Sequence, residues 1–294
     1  MKMQKTFTLK KIVLALAIAG YTMSSAYAVL TLPTGTIQGA APVLSAPSNS
    51  AANAVDFAHT TAQTAGTLTS GDVITMTYQY DDTDGDLDNS TTYVKWYFTK
   101  GGSDTQITVG IANTPATLTV AGTGTSMLTI PAAAIGATAI RAEIIEYSAS
   151  GDPISGTTIN VADTSVGVGG GTTTPPGPVV PGNNVTPGIY LSTDAAFANN
   201  LAGNAAVKLT VGQTYVFKLW DSAAVGTVDV TPAAYSWRLV GLNSIDGVTQ
   251  APATGFVTSA TGTSFTIPVN TAADGTALTG STSGAQGFSL AVDY

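Results

Sequence analysis

The chain is predicted to be all-β: two tandem β-sandwich modules, joined by a Gly/Pro/Thr-rich linker and preceded by a cleaved signal peptide. Three observations predict this. After residue 28 the apolar residues recur with a period of two, and no segment carries the 3.6-residue period of a helix. A stretch with no charge and no aromatic divides the chain. The two parts on either side of it repeat each other at a fixed separation.

The first 28 residues read as an address. Lys2, Lys5, Lys10 and Lys11 form a positive start, Ile12 to Gly20 an apolar run, and Ala26-Tyr27-Ala28 an A-x-A cleavage pattern. Nine apolar residues span roughly 14 Å as a helix, about half of a ~30 Å hydrocarbon core. Removal is therefore expected, with a mature chain from Val29 that is extracellular, at the outer cell surface or periplasmic. No later apolar run reaches the ~18 residues of a membrane span.

The charge balance excludes several functions. The chain has 18 acidic and 10 basic residues, and four of the basic ones lie in the first eleven positions. The remainder carries 6 positive against 18 negative charges, or −12. Such a surface repels phosphate backbones, so nucleic acid is not a partner. The absence of cysteine removes disulfides, thiol catalysis and Cys-ligated metals. No P-loop, dinucleotide fingerprint or HExxH motif is present.

Residues 29–66 are rich in Ala, Ser, Thr and Pro and are expected to supply a first strand near Thr36 to Leu44. Module 1 follows over 67–163. Ile74, Met76, Tyr78 and Tyr80 alternate with polar residues, Val94, Trp96 and Phe98 make a second inward row, and Ile140 to Tyr147 and Ile154 to Val161 complete the set. A linker is placed at 164–188. Its centre, GVGGGTTTPPGPVVPGNNVT, is expected to build no packed core and to leave the modules orientationally loose.

Module 2 covers 189–294. LTSGDVITMTY from Leu68 parallels LTVGQTYVFKL from Leu209, so that Gly71 matches Gly212 at a separation of 141. Trp96 and Trp237 share that separation, and TSMLTIP and TSFTIP end at Pro131 and Pro268, 137 apart. Module 2 ends in one clear strand, Phe288 to Tyr294, with no successor to pair beside it. An uncovered edge invites association. Gly188 to Thr193 is the favoured internal cover, and a strand added by a partner is the alternative.

The run Y-x-Y-D-D-x-D-G-D (Tyr78 to Asp86), T-Y-x-x-W (Thr92 to Trp96), L-T-I-P (Leu128 to Pro131) and Gly136 resembles the bacterial immunoglobulin-like modules of the intimin/invasin adhesins. It is especially similar to the small secreted companion proteins of that system. The resemblance covers most of 67–163 and, more loosely, 189–294, where the acidic run is missing. It implies tandem immunoglobulin-like modules, a role in adhesion or virulence at the cell surface, and an intimin/invasin-type outer-membrane protein or host receptor as partner. It implies no reaction.

Five carboxylates crowd the eight positions from Asp81 to Asp88. Asp82, Asp84, Asp86 and Asp88 are hard oxygen donors at alternate positions, the type of donor calcium takes. The spacing departs from an EF-hand, and a solvated acidic hairpin is the plainer reading. Trp96 and Trp237 are expected to be buried. Trp220 has the opposite parity to Phe217 and Leu219 and is expected to be partly exposed. With Phe288, Leu290 and Val292 it makes the candidate partner-binding set. His59 is expected in a solvated loop. Glu143 and Glu146 are an odd offset apart on one strand, hence on opposite faces, and cannot flank one glycosidic bond. The chain is read as a non-enzyme that binds another protein or a host surface. A two-domain pilus-associated adhesin is the second reading and a carbohydrate-active enzyme the third.

Overall fold

A computed structural model describes residues 31–60, 65–117, 122–221, 227–269 and 276–294. The expected signal peptide, 1–28, lies outside the described residues. Residues 39–294 form one compact unit, and residues 31–38 carry neither strand nor helix. The chain is all-β. Among the described residues no helix is long and apolar enough to cross a membrane.

The first half holds β1 (Val43–Ser45), β2 (Val55–Thr60), β3 (Val73–Asp81), β4 (Lys95–Lys100), β5 (Ser103–Ile107), β6 (Ile111–Thr114), β7 (Thr123–Thr129), β8 (Ala139–Tyr147), β9 (Ser155–Val161) and β10 (Gly169–Thr172). One sheet has the order β10-β2-β3-β7-β6, with β1 also on β3, and the other the order β5-β4-β8-β9. The two face each other across one buried cluster, as in a β-sandwich. Its alternation is the one the sequence predicts. Ile74, Met76, Tyr78 and Tyr80 point inward from β3, Trp96 and Phe98 from β4, and Ile140, Ala142 and Ile144 from β8.

The second half holds β11 (Thr186–Leu191), β12 (Thr214–Trp220), β13 (Ser236–Val240), β14 (Phe256–Thr261), β15 (Phe265–Thr266) and β16 (Ser289–Asp293). Its sheets are β11-β12-β15 and β14-β13-β16, around a second cluster centred on Trp237 and Leu219.

The register recurs with the sequence. Val73 and Ile74 sit opposite Thr129 and Leu128, and Thr214 and Tyr215 opposite Thr266 and Phe265. The Gly71 N–H reaches the Ile130 carbonyl at 2.8 Å, and the Gly212 N–H reaches that of Ile267 at 2.9 Å. Both glycines turn with positive φ, 93° and 81°, which L side chains rarely adopt. Trp96 lies opposite Ala142, and Trp237 opposite Val292.

Two expectations are corrected. Residues 29–66 supply more than one strand near Thr36 to Leu44: β1 begins only at Val43, and β2 adds Val55 and Phe57 to the core. The supposedly packless linker is also built into the first half. Its β10 pairs in parallel with β2, and Val179 is buried. The composition is still the reason it fits there. A Cβ on Gly170 would run into the Val55 carbonyl, so only glycine lets the backbones approach this closely. Asn184 accepts a hydrogen bond from Ser70 Oγ at 2.7 Å. Ala132 and Ile135 of the first half belong to the buried cluster of the second, so the halves also share packing.

Candidate functional site

The acidic run divides. Asp82, Asp84 and Asp86 bring carboxylate oxygens within 4.8 Å of one another. Asp84 also accepts the Ala40 N–H, and Asp86 the Ser150 hydroxyl. Asp88 is not among them. It turns inward and accepts Tyr78 Oη at 2.6 Å, Ser90 N–H at 2.8 Å and Ala116 N–H at 2.7 Å. Burial, and then the hydrogen bond to Asp88, push the Tyr78 phenol far above its ordinary pKa. A calcium ion takes six to eight oxygens. All three carboxylates already accept protein hydrogen bonds, Asp82 from the Asp84 N–H at 2.9 Å, and Asp88 is withdrawn from the set, so the rest of such a shell would have to come from other oxygens.

The two glutamates lie on opposite faces of β8, as their odd offset requires. Glu143 pairs with Lys95 at 2.7 Å on the outer face. Glu146 is buried, accepting the Leu44 N–H from β1 at 2.9 Å and the Thr157 N–H from β9 at 2.6 Å. One carboxylate thus ties an edge of each sheet to the other. Nothing in the sequence except its inward parity signals that role.

His59 is no solvated loop residue. It lies on β2 with its side chain 4% exposed, and its Nε2 is 2.9 Å from Asp72 Oδ2. Asp72 also accepts the Thr69 N–H at 2.8 Å. A buried imidazole and carboxylate satisfy each other here, and no serine hydroxyl is bonded to the imidazole among the described residues. This pair was missed because strand β2 itself was not expected.

Trp220 is likewise corrected. It is buried, and its Nε1 donates to Tyr190 Oη at 3.0 Å. The Phe197 ring lies 5.2 Å from Tyr190 and 5.5 Å from Trp220. Parity places Trp220 on the outer face, and the chain leaving β11 covers that face with Phe197. Trp96 and Trp237 are buried as expected, with their indole N–H groups on Ser126 Oγ at 2.9 Å and the Thr263 carbonyl at 2.7 Å.

Phe288, Leu290 and Val292 are half-buried against the second cluster, on or beside a strand at the edge of its sheet. β16 pairs with β13 on one side and with no strand on the other among the described residues. Gly188 to Thr193 does not cover it. That segment belongs to β11 and pairs with β12 in the opposite sheet. In the first half the matching strand β8 lies between β4 and β9, with Ala142 opposite Val161 and Ile144 opposite Ile159. The counterparts Val292 and Tyr294 have no such neighbour. Ile140 and Ala142 are buried, whereas Leu290 and Val292 are half-buried and Tyr294 is 42% exposed.

Beside the start of β16 opens a cleft of about 770 Å³. Leu209, Val211, Leu239, Ile267, Gly287 and Leu290 line it, and Lys208 is the charged residue at its wall. An apolar edge strand with an adjoining cleft can pair with an extended peptide and hold its alternate side chains. No protein-family model matches the chain, and no curated protein does.

Proposed function

We propose that this is a secreted or surface-associated protein of two immunoglobulin-like modules that binds another polypeptide by strand addition to β16. The companion role beside an intimin/invasin-type outer-membrane protein, in adhesion or virulence, follows from the resemblance in the acidic run, the Trp positions and the L-T-I-P segment. The single observation that carries the binding reading is the β16 edge, open among the described residues, whose counterpart β8 is covered by β9 in the first half. The signal-like start and the acidic balance support export and argue against nucleic acid. Glu143, Glu146 and His59 are all engaged in ion pairs or hydrogen bonds that maintain the fold, which favours binding over catalysis.

Affinity capture with the tagged chain from culture medium and outer-membrane extracts tests this, read by identification of retained proteins. The wild type is expected to retain an outer-membrane or surface protein. Ala291→Glu, which places a charge on the outward face of the edge strand opposite Arg238, is expected to lose it while melting as a folded protein. Equal retention by both chains would remove strand addition at β16.

A further inference from the structure

The first half shows what the cleft of the second half lacks. In the first half Val179 and Val180 cross between two loops, and all four of their backbone groups are used. Val180 N–H donates to the Leu68 carbonyl at 2.9 Å, and its carbonyl accepts Ser70 N–H at 2.9 Å. Val179 N–H donates to the Ala137 carbonyl at 2.9 Å, and its carbonyl accepts Gly136 N–H at 2.8 Å. Val179 belongs to the same buried cluster as Leu68, Phe98, Ile130 and Ile140.

By the repeated register these four residues correspond to Leu209, Leu239, Ile267 and Leu290, and all four line the cleft. Leu68 and Ile140 are fully buried, while Leu209 and Leu290 are only half-buried. The counterparts of the Leu68 carbonyl and Ser70 N–H are the Leu209 carbonyl and Val211 N–H, which make no hydrogen bond among the described residues. On the other wall the chain has closed its own bonds. Gln286 N–H reaches the Ser283 carbonyl, and the Gly287 carbonyl accepts Ser244 N–H. The 209–211 side is therefore the half of the seat that is still open.

We infer that this cleft seats an extended segment of a partner polypeptide carrying two adjacent β-branched residues, with an acidic residue two positions before the second of them. The acidic position follows from charge and direction. Thr69 and Val180 bridge in parallel, so Pro178 lies beside Thr67, whose counterpart is Lys208. Lys208 has no ion-pair partner among the described residues. The inference rests on the reading that the protein binds another polypeptide, and it identifies the chemistry of that segment.

The probe is a synthetic peptide of residues 173–183 of this chain carrying Pro178→Asp, titrated calorimetrically into the full chain. Saturable binding is expected, stronger than for the Pro178→Lys peptide. N-methylation at Val180 removes the donor to the Leu209 carbonyl and is expected to weaken binding about tenfold. Lys208→Glu, an exposed change, is expected to reverse the preference between the two peptides. No saturable binding, or a preference unaltered by Lys208→Glu, overturns the inference. So does self-association that the peptide fails to disperse, since it assigns the cleft to a second copy. Partner capture that is lost in Ala291→Glu but intact in Lys208→Glu sinks the cleft and leaves strand addition standing. The reverse result sinks strand addition and leaves the cleft.

Discussion

Strands β8 and β16 begin from the same arrangement and end in different environments. Each pairs antiparallel with a strand whose second residue is a fully buried tryptophan, in the same register. β8 is then flanked by β9, and the chain beyond it returns to place β10 on β2 and Val179 in the core. β16 has neither neighbour among the described residues. The comparison teaches that a strand's own alternation sets which side chains face the core, while their degree of burial depends on what chain covers the edge. A half-buried Leu290 beside a fully buried Ile140 is the signature of missing cover.

The comparison is sharpened most by truncating its two cores. Trp96→Ala and Trp237→Ala are each expected to cost about 4 kcal/mol, because both rings are fully buried. Ile140→Ala is expected to cost about 3 kcal/mol and Leu290→Ala about 1 kcal/mol by denaturant melting. Equal losses at the last two positions would show that the β16 edge is covered in solution.

Next comes the carboxylate that ties the two sheets of the first half together. Glu146→Ala leaves two backbone N–H groups, Leu44 and Thr157, without their acceptor. A loss of about 3 kcal/mol is expected, with amide exchange quickening in β1 and β9 and unchanged in β16. Uniform quickening through both halves would show that they do not open separately.

Alkaline pH provides a smaller contrast. The Tyr78 phenol is held protonated by burial first and by Asp88 second, so its folded pKa is raised. An unfolded tyrosine releases its proton at about pH 10. The stabilisation is therefore fully present below that pH and is lost as pH rises toward the folded value. Tyr294, raised by burial alone and more open to water, is expected to contribute less of this slope. Tyr78→Phe should flatten the alkaline fall in melting temperature, and Tyr294→Phe should leave most of it. The smallest effect is expected from calcium. At millimolar concentration it should move the melting temperature by no more than about one degree, since Asp88 is withdrawn from the carboxylate set.

Much of the architecture was legible in advance because it is local. The alternation over 74–80, 94–98 and 140–147 fixed strand identity and facing. The odd offset of Glu143 and Glu146 fixed their separation onto two faces. The errors share one cause, which is that each concerned a contact between distant segments. Trp220 has outward parity, but Phe197 from the chain after β11 covers it. Asp88 shares the spacing of a ligand series, but Tyr78 Oη and the Ala116 N–H draw it inward. Gly188 to Thr193 alternates suitably for covering β16, but β12 takes it.

By itself, then, the sequence determined the all-β class, the two repeated strand sets and their inward rows, because a period of two and a glycine turn act over a few neighbouring residues. Only the tertiary structure decided the fate of the Gly/Pro-rich segment, the buried His59–Asp72 pair, the Glu146 tie between sheets and the edge of β16 that is bare among the described residues. In each of those cases the backbone or side-chain partner comes from a distant part of the chain or from another strand. Composition and periodicity describe what a segment can do alone. They carry no information on which other segment will satisfy its hydrogen bonds.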